Sequence, residues 1–164
     1  MSSTNHPTAG IRLDYRSGLC SAGVALAVAT YLALCPETAE ATFMAWSGRN
    51  LPGVLAADYG DAEAYAEALG AALEDWHDDG DGVRLAALKG AAGIGEAAYL
   101  VEVATGAATT LPGAMFLVVL QGLLVDGPLS FARGAFIDLA AVPLLEPEVA
   151  GARGCICLVI FETV

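Results

Sequence analysis

The chain has 164 residues, the length of one domain that can bury an ordinary hydrophobic core without disulfides or metals. Its 19 acidic and 7 basic residues give a formal net charge of −12, which argues against a nucleic-acid-binding protein, because such proteins use Lys and Arg to displace phosphate counterions. Apolar residues make up 56% of the chain but aromatic residues only 7%, so we expect a core of small, closely packed side chains.

The N-terminal stretch MSSTNHPTAG lacks the basic segment and apolar stretch of a signal peptide. We predict a disordered leader over residues 1–9, a single domain over residues 10–164, and a cytoplasmic location. A reducing compartment requires no disulfides from the four cysteines.

Those cysteines do not have the spacing of a zinc site. Cys155 and Cys157 form a C-x-C pair, whereas Cys20 and Cys35 lie fifteen residues apart, and neither pair is C-x-x-C. We predict buried thiols and no metal.

The first predicted elements are a strand and a helix. Ile11–Tyr15 alternates apolar and polar residues, which is typical of a half-buried strand. Leu19–Cys35 is uncharged for seventeen residues, but it is short for a membrane span and contains polar residues. It therefore predicts a buried Ala-rich helix over residues 19–34, ended by Pro36, that packs against a sheet.

The next segment predicts a hairpin followed by a helix. Two apolar runs, Glu40–Trp46 and Leu51–Ala56, flank the polar turn Ser47–Asn50. Asp61–Leu69 has helical spacing, with Asp61 as its N-cap.

Asp79-Gly80-Asp81-Gly82 is the clearest turn signal in the chain, because Asp-Gly supplies the positive φ of tight hairpins. Ala71–Trp76 either continues the preceding helix or forms the first arm of this hairpin, and we favour the arm. The remaining predictions are strands at Ala97–Val103, Ala114–Leu120 and Cys155–Phe161, and helical or irregular structure at Phe131–Leu139 and Glu146–Ala152. These elements predict an α+β fold, a mixed α/β sandwich.

A candidate anion site lies at the start of the Ala-rich helix. If the helix begins near Leu19, its unpaired N–H groups lie beside Arg16, Ser17 and Gly18. Cys20 and Ser21 would fall in the first turn, where a thiolate is stabilised. The alternative is that Ser17 only caps the helix and Gly18 only turns the chain.

Other polar groups support weaker hypotheses. Arg84 and Lys89 either extend an anion-binding patch or form surface ion pairs. The acids around His77 lack the order of a calcium loop and predict a solvated hairpin tip. No catalytic residue can be assigned.

The run IRLDYRSGLCSAGVALAVATYLALC resembles the N-terminal signature of the cobalt-precorrin-5B C1-methyltransferases of anaerobic cobalamin biosynthesis, in which a strand leads through a Gly-rich turn into an Ala-rich helix. The residues at matching places are Tyr15, Gly18, Cys20 and Ala22. DGDGVRLAALKGAAG is similar to a second segment of that family, through Gly82, Val83, Arg84, Lys89, Ala92 and Gly93. The resemblance covers roughly the first 105 residues, and the family's Gly-rich second half has no counterpart.

The resemblance implies a stand-alone relative of the family's N-terminal domain that binds a polycarboxylate small molecule. The implied substrate contacts are Arg16, Ser17, Gly18, Cys20, Ser21, Arg84 and Lys89. Methyl transfer from S-adenosylmethionine would require a partner chain that supplies the missing half.

The alternative function is a non-catalytic, acidic interaction or assembly protein, in which a partner chain or a second copy covers the apolar runs Met115–Leu120 and Ile156–Phe161. Neither hypothesis includes a nucleic-acid or membrane partner.

Overall fold

The computed structural model describes residues 5–47, 60–78, 81–107, 111–144, 147–151 and 153–163. The helices in these ranges are α1 (Ala9–Arg16), α2 (Ala22–Leu34), α3 (Ala39–Trp46) and α4 (Ala62–Ala68). The strands are β1 (His77–Asp78), β2 (Val83–Ala87), β3 (Glu96–Val103), β4 (Ala114–Gln121), β5 (Leu123–Asp126), β6 (Leu129–Ala132), β7 (Phe136–Asp138), β8 (Glu148–Ala150) and β9 (Cys155–Glu162). The predicted α+β class is confirmed.

Two antiparallel sheets organise these strands. The larger has the order β1-β2-β3-β9-β4-β7, and the smaller has the order β6-β5-β8. Strand β9 pairs with β3 on one side and with β4 on the other. Its residues Cys155–Ile160 are all buried, and since successive side chains point to opposite faces, both faces of the larger sheet must be covered.

Each face of the larger sheet carries its own core. The core beneath the helices contains side chains of alternate strand positions together with helical ones, including Leu100, Leu120, Leu158, Ala27, Leu32 and Tyr65. The opposite core uses the intervening positions and packs on the smaller sheet, and it includes Val101, Val119, Cys157, Leu124 and Phe131. The fold is therefore three layers, and the apolar runs of β4 and β9 are covered by the chain's own helices and smaller sheet.

The predicted buried Ala-rich helix is confirmed as α2. It begins at Ala22 rather than Leu19, because Ser21 is the N-cap and its hydroxyl accepts a hydrogen bond from the Val24 N–H at 3.4 Å. Residues 27–32 are all buried, and small side chains let this helix approach β4, β9 and β3 closely.

The strand predicted at Ile11–Tyr15 is wrong, because these residues form α1. Thr8 caps the helix by accepting a hydrogen bond from the Ile11 N–H at 3.2 Å. Ile11 and Tyr15, four residues apart, share the inner side of the helix, while Leu13 is 61% exposed. Three apolar residues at alternate positions fitted a strand, but only two of them are directed at the core.

The arm predicted at Glu40–Trp46 is also wrong, because these residues form α3. Ala41 and Met44, three residues apart, are buried, as the inner side of a helix requires. Most of the predicted turn and the second arm, residues 48–56, lies outside the described residues.

The segments predicted as helical or irregular at Phe131–Leu139 and Glu146–Ala152 contribute strands instead. These strands are the short β6, β7 and β8. Strands β6 and β8 pair with β5, and β7 pairs with β4. Strands of three or four residues are too short to show a clear alternation in sequence.

Several local predictions are confirmed. Asp61 caps α4 by accepting a hydrogen bond from the Ala64 N–H at 2.8 Å. The segment before β1 is a hairpin arm, because the Glu74 N–H donates to the Ala87 carbonyl and the Lys89 N–H to the Ala72 carbonyl, both at 2.8 Å. The strands predicted at residues 97–103, 114–120 and 155–161 are present as β3, β4 and β9.

A buried polar network fastens α4 to the larger sheet. The Tyr65 hydroxyl lies 3.2 Å from both the Leu120 carbonyl and Gln121 Oε1. Arg133 donates from Nη1 to the Tyr65 hydroxyl at 3.0 Å and to the Leu120 carbonyl at 2.8 Å. Since Tyr65 and Gln121 are buried, these bonds satisfy polar groups that would otherwise destabilise the fold.

We expect Tyr65→Phe to lower the free energy of unfolding by about 1 to 2 kcal/mol, because the buried network loses its central hydroxyl. Urea denaturation measures the change. Tyr99→Phe is the matched control, since the half-buried Tyr99 ring packs on Phe161 with 5.3 Å between centroids. Equal losses in the two variants would contradict a special role for the Tyr65 hydroxyl.

Candidate partner-binding surfaces

The residues predicted around the start of the Ala-rich helix instead end the helix before it. Arg16 is the last residue of α1, and Ser17 is its C-cap, with its N–H donating to the Leu13 carbonyl at 3.0 Å. Gly18 has φ +73°, a conformation that favours glycine, so it turns the chain between α1 and α2. The idea that Ser17 caps the Ala-rich helix is therefore wrong.

The N-terminus of α2 already holds an anion, the carboxylate of Glu96. Glu96 Oε1 accepts hydrogen bonds from the N–H groups of Gly23 at 2.7 Å and Gly93 at 3.0 Å, and Oε2 accepts one from the Ser21 hydroxyl at 2.9 Å. A Cβ on Gly23 would lie 2.8 Å from Glu96 Oε2, so glycine is what allows this approach. The favourable interaction of a helix N-terminus with an anion is thus made within the chain.

Cys20 does not present the stabilised thiolate that the sequence predicts. Its Sγ lies 3.8 Å from the Ile11 carbonyl. Burial, and secondarily the charge of Asp14, raises the pKa of the Cys20 thiol. The thiol is therefore held in its neutral form.

Arg84 and Lys89 lie along the hairpin of β1 and β2. Arg84 Nε bonds Glu102 Oε1 at 2.5 Å, and its guanidinium lies 4.0 Å from the centre of the Trp76 ring. This is the surface ion pair given as one alternative for Arg84. Lys89 is exposed just after β2. The ligand contacts assigned to these two residues and to the turn after α1 stay predictions.

Helices α1 and α3 form an exposed surface with apolar side chains. Arg12 on α1 pairs with Glu40 on α3 at 3.3 Å, and the Arg16 guanidinium lies 5.1 Å from the centre of the Phe43 ring. These two side-chain contacts connect α1 and α3.

Large apolar side chains on these helices remain open to solvent: Leu13 is 61% exposed, Phe43 43% and Trp46 84%. Leu13 and Arg16 share one side of α1, as Phe43 and Trp46 share one side of α3. We call this group, Leu13, Arg16, Phe43 and Trp46, the α1–α3 surface. Clustered exposed aromatic and aliphatic groups are typical of protein interfaces.

A second surface is strongly acidic. Residues 61–81 contain eight carboxylates and no Lys or Arg. The Trp76 indole N–H donates to Glu63 at 3.0 Å and joins the hairpin arm to α4. We call the exposed carboxylates of this region the acidic surface: Asp61, Glu63, Glu67, Glu74, Asp75, Asp78 and Asp81. Such a field attracts basic partners and speeds their association.

Among the described residues, no group of three His, Cys, Asp or Glu side chains is placed to hold a metal ion. In the same part of the chain, the structure contains no helix with the length and apolar character needed to cross a membrane.

Over nearly its whole length, the chain is similar in fold to a protein of known structure. The similar structure is the ChrR chain in the crystal structure of Rhodobacter sphaeroides SigE in complex with the anti-sigma ChrR, with 25% sequence identity and a TM-score of 0.70. The match covers 96% of this chain and 98% of the other. Because the match has a high TM-score over nearly the whole length of both chains, the two proteins share the arrangement of their helices and sheets.

Two cupin structures are more distant. An RmlC-like cupin protein from Ralstonia eutropha is 13% identical, with a TM-score of 0.40 over 54% of this chain and 63% of the other. An RmlC-like cupin from Shewanella frigidimarina is 16% identical, with a TM-score of 0.39 over 66% and 93%. Both TM-scores are too low to bear on function. No family model and no curated protein matches the chain.

These comparisons contradict the resemblance to the cobalt-precorrin methyltransferases, and with it the assigned cobalamin pathway and methyl transfer from S-adenosylmethionine. The structural reason lies at residues 11–22. The resemblance requires a strand that leads through a turn into a helix, whereas the chain forms a helix, a glycine turn and a second helix. Small residues and a glycine turn are compatible with either arrangement.

We expect Glu96→Ala to lower the free energy of unfolding by about 2 kcal/mol, because two N–H groups and a hydroxyl lose a charged acceptor. Glu96→Gln should cost less, since one side-chain oxygen remains as an acceptor. Urea denaturation measures both changes, with Glu148→Ala, an exposed glutamate on β8, as the control. A loss no larger than that of the control would show that the Glu96 carboxylate does not stabilise α2.

Proposed function

We propose that this chain is a non-catalytic, acidic interaction protein of the anti-sigma type, and that it binds a bacterial sigma factor. The observation that carries the proposal is the match to the ChrR chain, which is found in a complex with SigE and matches this chain at a TM-score of 0.70 over nearly the whole length of both. The same proposal places the chain in the cytoplasm and treats residues 10–164 as a single domain.

The charge of the chain supports a partner of this class. Proteins that bind DNA carry basic surfaces that contact phosphates, and the proposal requires the sigma factor to present such a surface. The acidic surface offers exposed carboxylates without an interspersed Lys or Arg in residues 61–81. Carboxylates of this kind can occupy a DNA-binding protein's basic surface and accelerate the encounter between the two proteins.

The α1–α3 surface supplies the groups that would give the complex its stability. Interface energy is concentrated in a few buried aromatic and Arg side chains, and this surface offers Trp46, Phe43 and Arg16 together. The Arg16 guanidinium already lies against the Phe43 ring, which reduces the entropy that binding must remove. We therefore assign the anchoring contacts to this surface and the electrostatic attraction to the acidic surface.

We expect Trp46→Ala to weaken binding to the cognate sigma factor at least tenfold, mainly through faster dissociation, because an anchoring aromatic side chain is lost. Biolayer interferometry with the purified sigma factors of the source genome measures the rates. Ile94→Ala is the matched control, because Ile94 is a fully exposed apolar residue that belongs to neither the α1–α3 surface nor the acidic surface.

Two results would contradict this part of the proposal. One is that none of the sigma factors binds the wild-type chain. The other is that Trp46→Ala and Ile94→Ala bind the sigma factor equally well, which would place the interface elsewhere.

We expect the double variant Glu67→Lys/Glu74→Lys to slow association about tenfold at low salt and to weaken its salt dependence, because both changes reverse charge on the acidic surface. Glu148→Lys/Glu162→Lys is the control, since it changes the net charge equally at exposed positions of β8 and β9. Association rates from 50 to 500 mM NaCl separate the two. Identical slopes would show that only net charge matters.

A further inference from the structure

A cavity of about 180 Å³ lies between the two sheets, on the side of the larger sheet opposite the helices. The described side chains that line it are all apolar: Val101, Val103, Leu111, Ala114, Leu117, Leu124, Leu139, Pro143, Leu144, Pro147 and Cys157. The α1–α3 surface and the acidic surface contribute none of them.

The cavity has a buried floor and a mouth at the protein surface. On the floor, Val101, Leu117 and Leu124 are each at most 2% exposed. Toward the mouth, Leu111 is half-buried and Pro143 is exposed. A small molecule can therefore reach the floor without unfolding of either sheet.

The lining decides what class of molecule fits. None of the described lining side chains carries a charge, a hydroxyl or an amide, so a charged molecule would lose its water without a charged or polar side chain to replace it. Among the described lining residues, only Cys157 has a titratable side chain. Its contact with Cys155, at 3.5 Å between the sulfur atoms, and its burial raise the pKa of the Cys157 thiol, which is therefore neutral. An apolar molecule meets no such penalty.

The size of the cavity sets the size of the occupant. An engineered protein cavity of about 150 Å³ lined by Leu, Ile and Phe stays dry and binds benzene. Protein interiors contain few voids larger than a water molecule. The cavity here is much larger than a water molecule, so it has room for a small ligand. It exceeds the benzene-binding cavity only slightly.

We propose that this cavity is a binding site for a small uncharged hydrocarbon group, an aromatic ring or a short aliphatic chain of about six to nine heavy atoms. The occupant lies between Val101 and Leu117 of the larger sheet and Leu124 of the smaller sheet. This site is independent of the proposed partner-binding function.

The wild-type chain tests the proposal directly. We expect benzene to bind with a dissociation constant of roughly 0.1 to 1 mM, and to raise the melting temperature by about 3 °C at ten times that concentration. In methyl NMR spectra, benzene should shift the resonances of Leu117, Leu124 and Val101, and leave those of Leu100 and Leu158 in the other core unchanged. Benzoate, a ring with a charge that none of the described lining side chains can pair, should bind at least tenfold more weakly.

A cavity-filling variant tests the location. Ala114→Phe places a ring in the cavity from β4 and should weaken benzene binding at least tenfold. Ala97→Phe is the matched control, because Ala97 is a half-buried strand alanine that does not line the cavity, and this variant should bind benzene as the wild type does. Circular dichroism tests whether each variant is folded. If Ala114→Phe does not fold, the methyl shifts of the wild-type chain decide where benzene binds.

Absence of benzene binding to the wild-type chain would overturn the proposal. Methyl shifts confined to the core beneath the helices would also overturn it, as would unchanged benzene affinity in folded Ala114→Phe. Because no sigma factor takes part in these measurements, they leave the partner-binding proposal to its own tests.

Discussion

The position of β9 is the constraint on which the rest of the structure depends. This last strand lies between β3 and β4, and its residues Cys155–Ile160 are buried on both faces. A strand that is apolar on both faces must be covered twice. The helices cover one face and the smaller sheet covers the other, which divides the interior into two cores and gives the molecule its three layers.

The two cores differ in packing: the core beneath the helices is closely packed, whereas the core between the sheets contains a cavity. The two proposed functions therefore lie on different parts of the molecule. Beneath the helices, small residues of α2 allow close approach, and the Glu96 carboxylate and the Tyr65 network satisfy the polar groups. Between the sheets, branched side chains leave a cavity that opens near Pro143. Partner contacts are thus assigned to the outer side of the helices, and an apolar ligand to the space between the sheets.

Local signals predicted a substantial part of this fold. The cap at Asp61, the long apolar strands β3, β4 and β9, and the uncharged helix α2 each depend on residues within one element, so their patterns survive in the structure. The predictions for α1 and α3 were wrong for different reasons. In α1, the inward-facing Ile11 and Tyr15 lie four residues apart, a spacing that matches the period of a strand as well as that of a helix. The arm at α3 was predicted from a polar turn between two apolar runs, and an apolar run of this length fits a short helix equally well.

The sequence by itself determined the acidity of residues 61–81, the burial of the Ala-rich helix and the α+β class, because composition, absence of charge and turn residues act locally. Only the tertiary structure decided what occupies the N-terminus of α2, since Glu96 is 73 residues from Gly23 along the chain. The same holds for the α1–α3 surface, which requires Arg16 to meet Phe43, and for the cavity, whose lining comes from both sheets. Such contacts depend on how separate elements pack, and no local pattern encodes that packing.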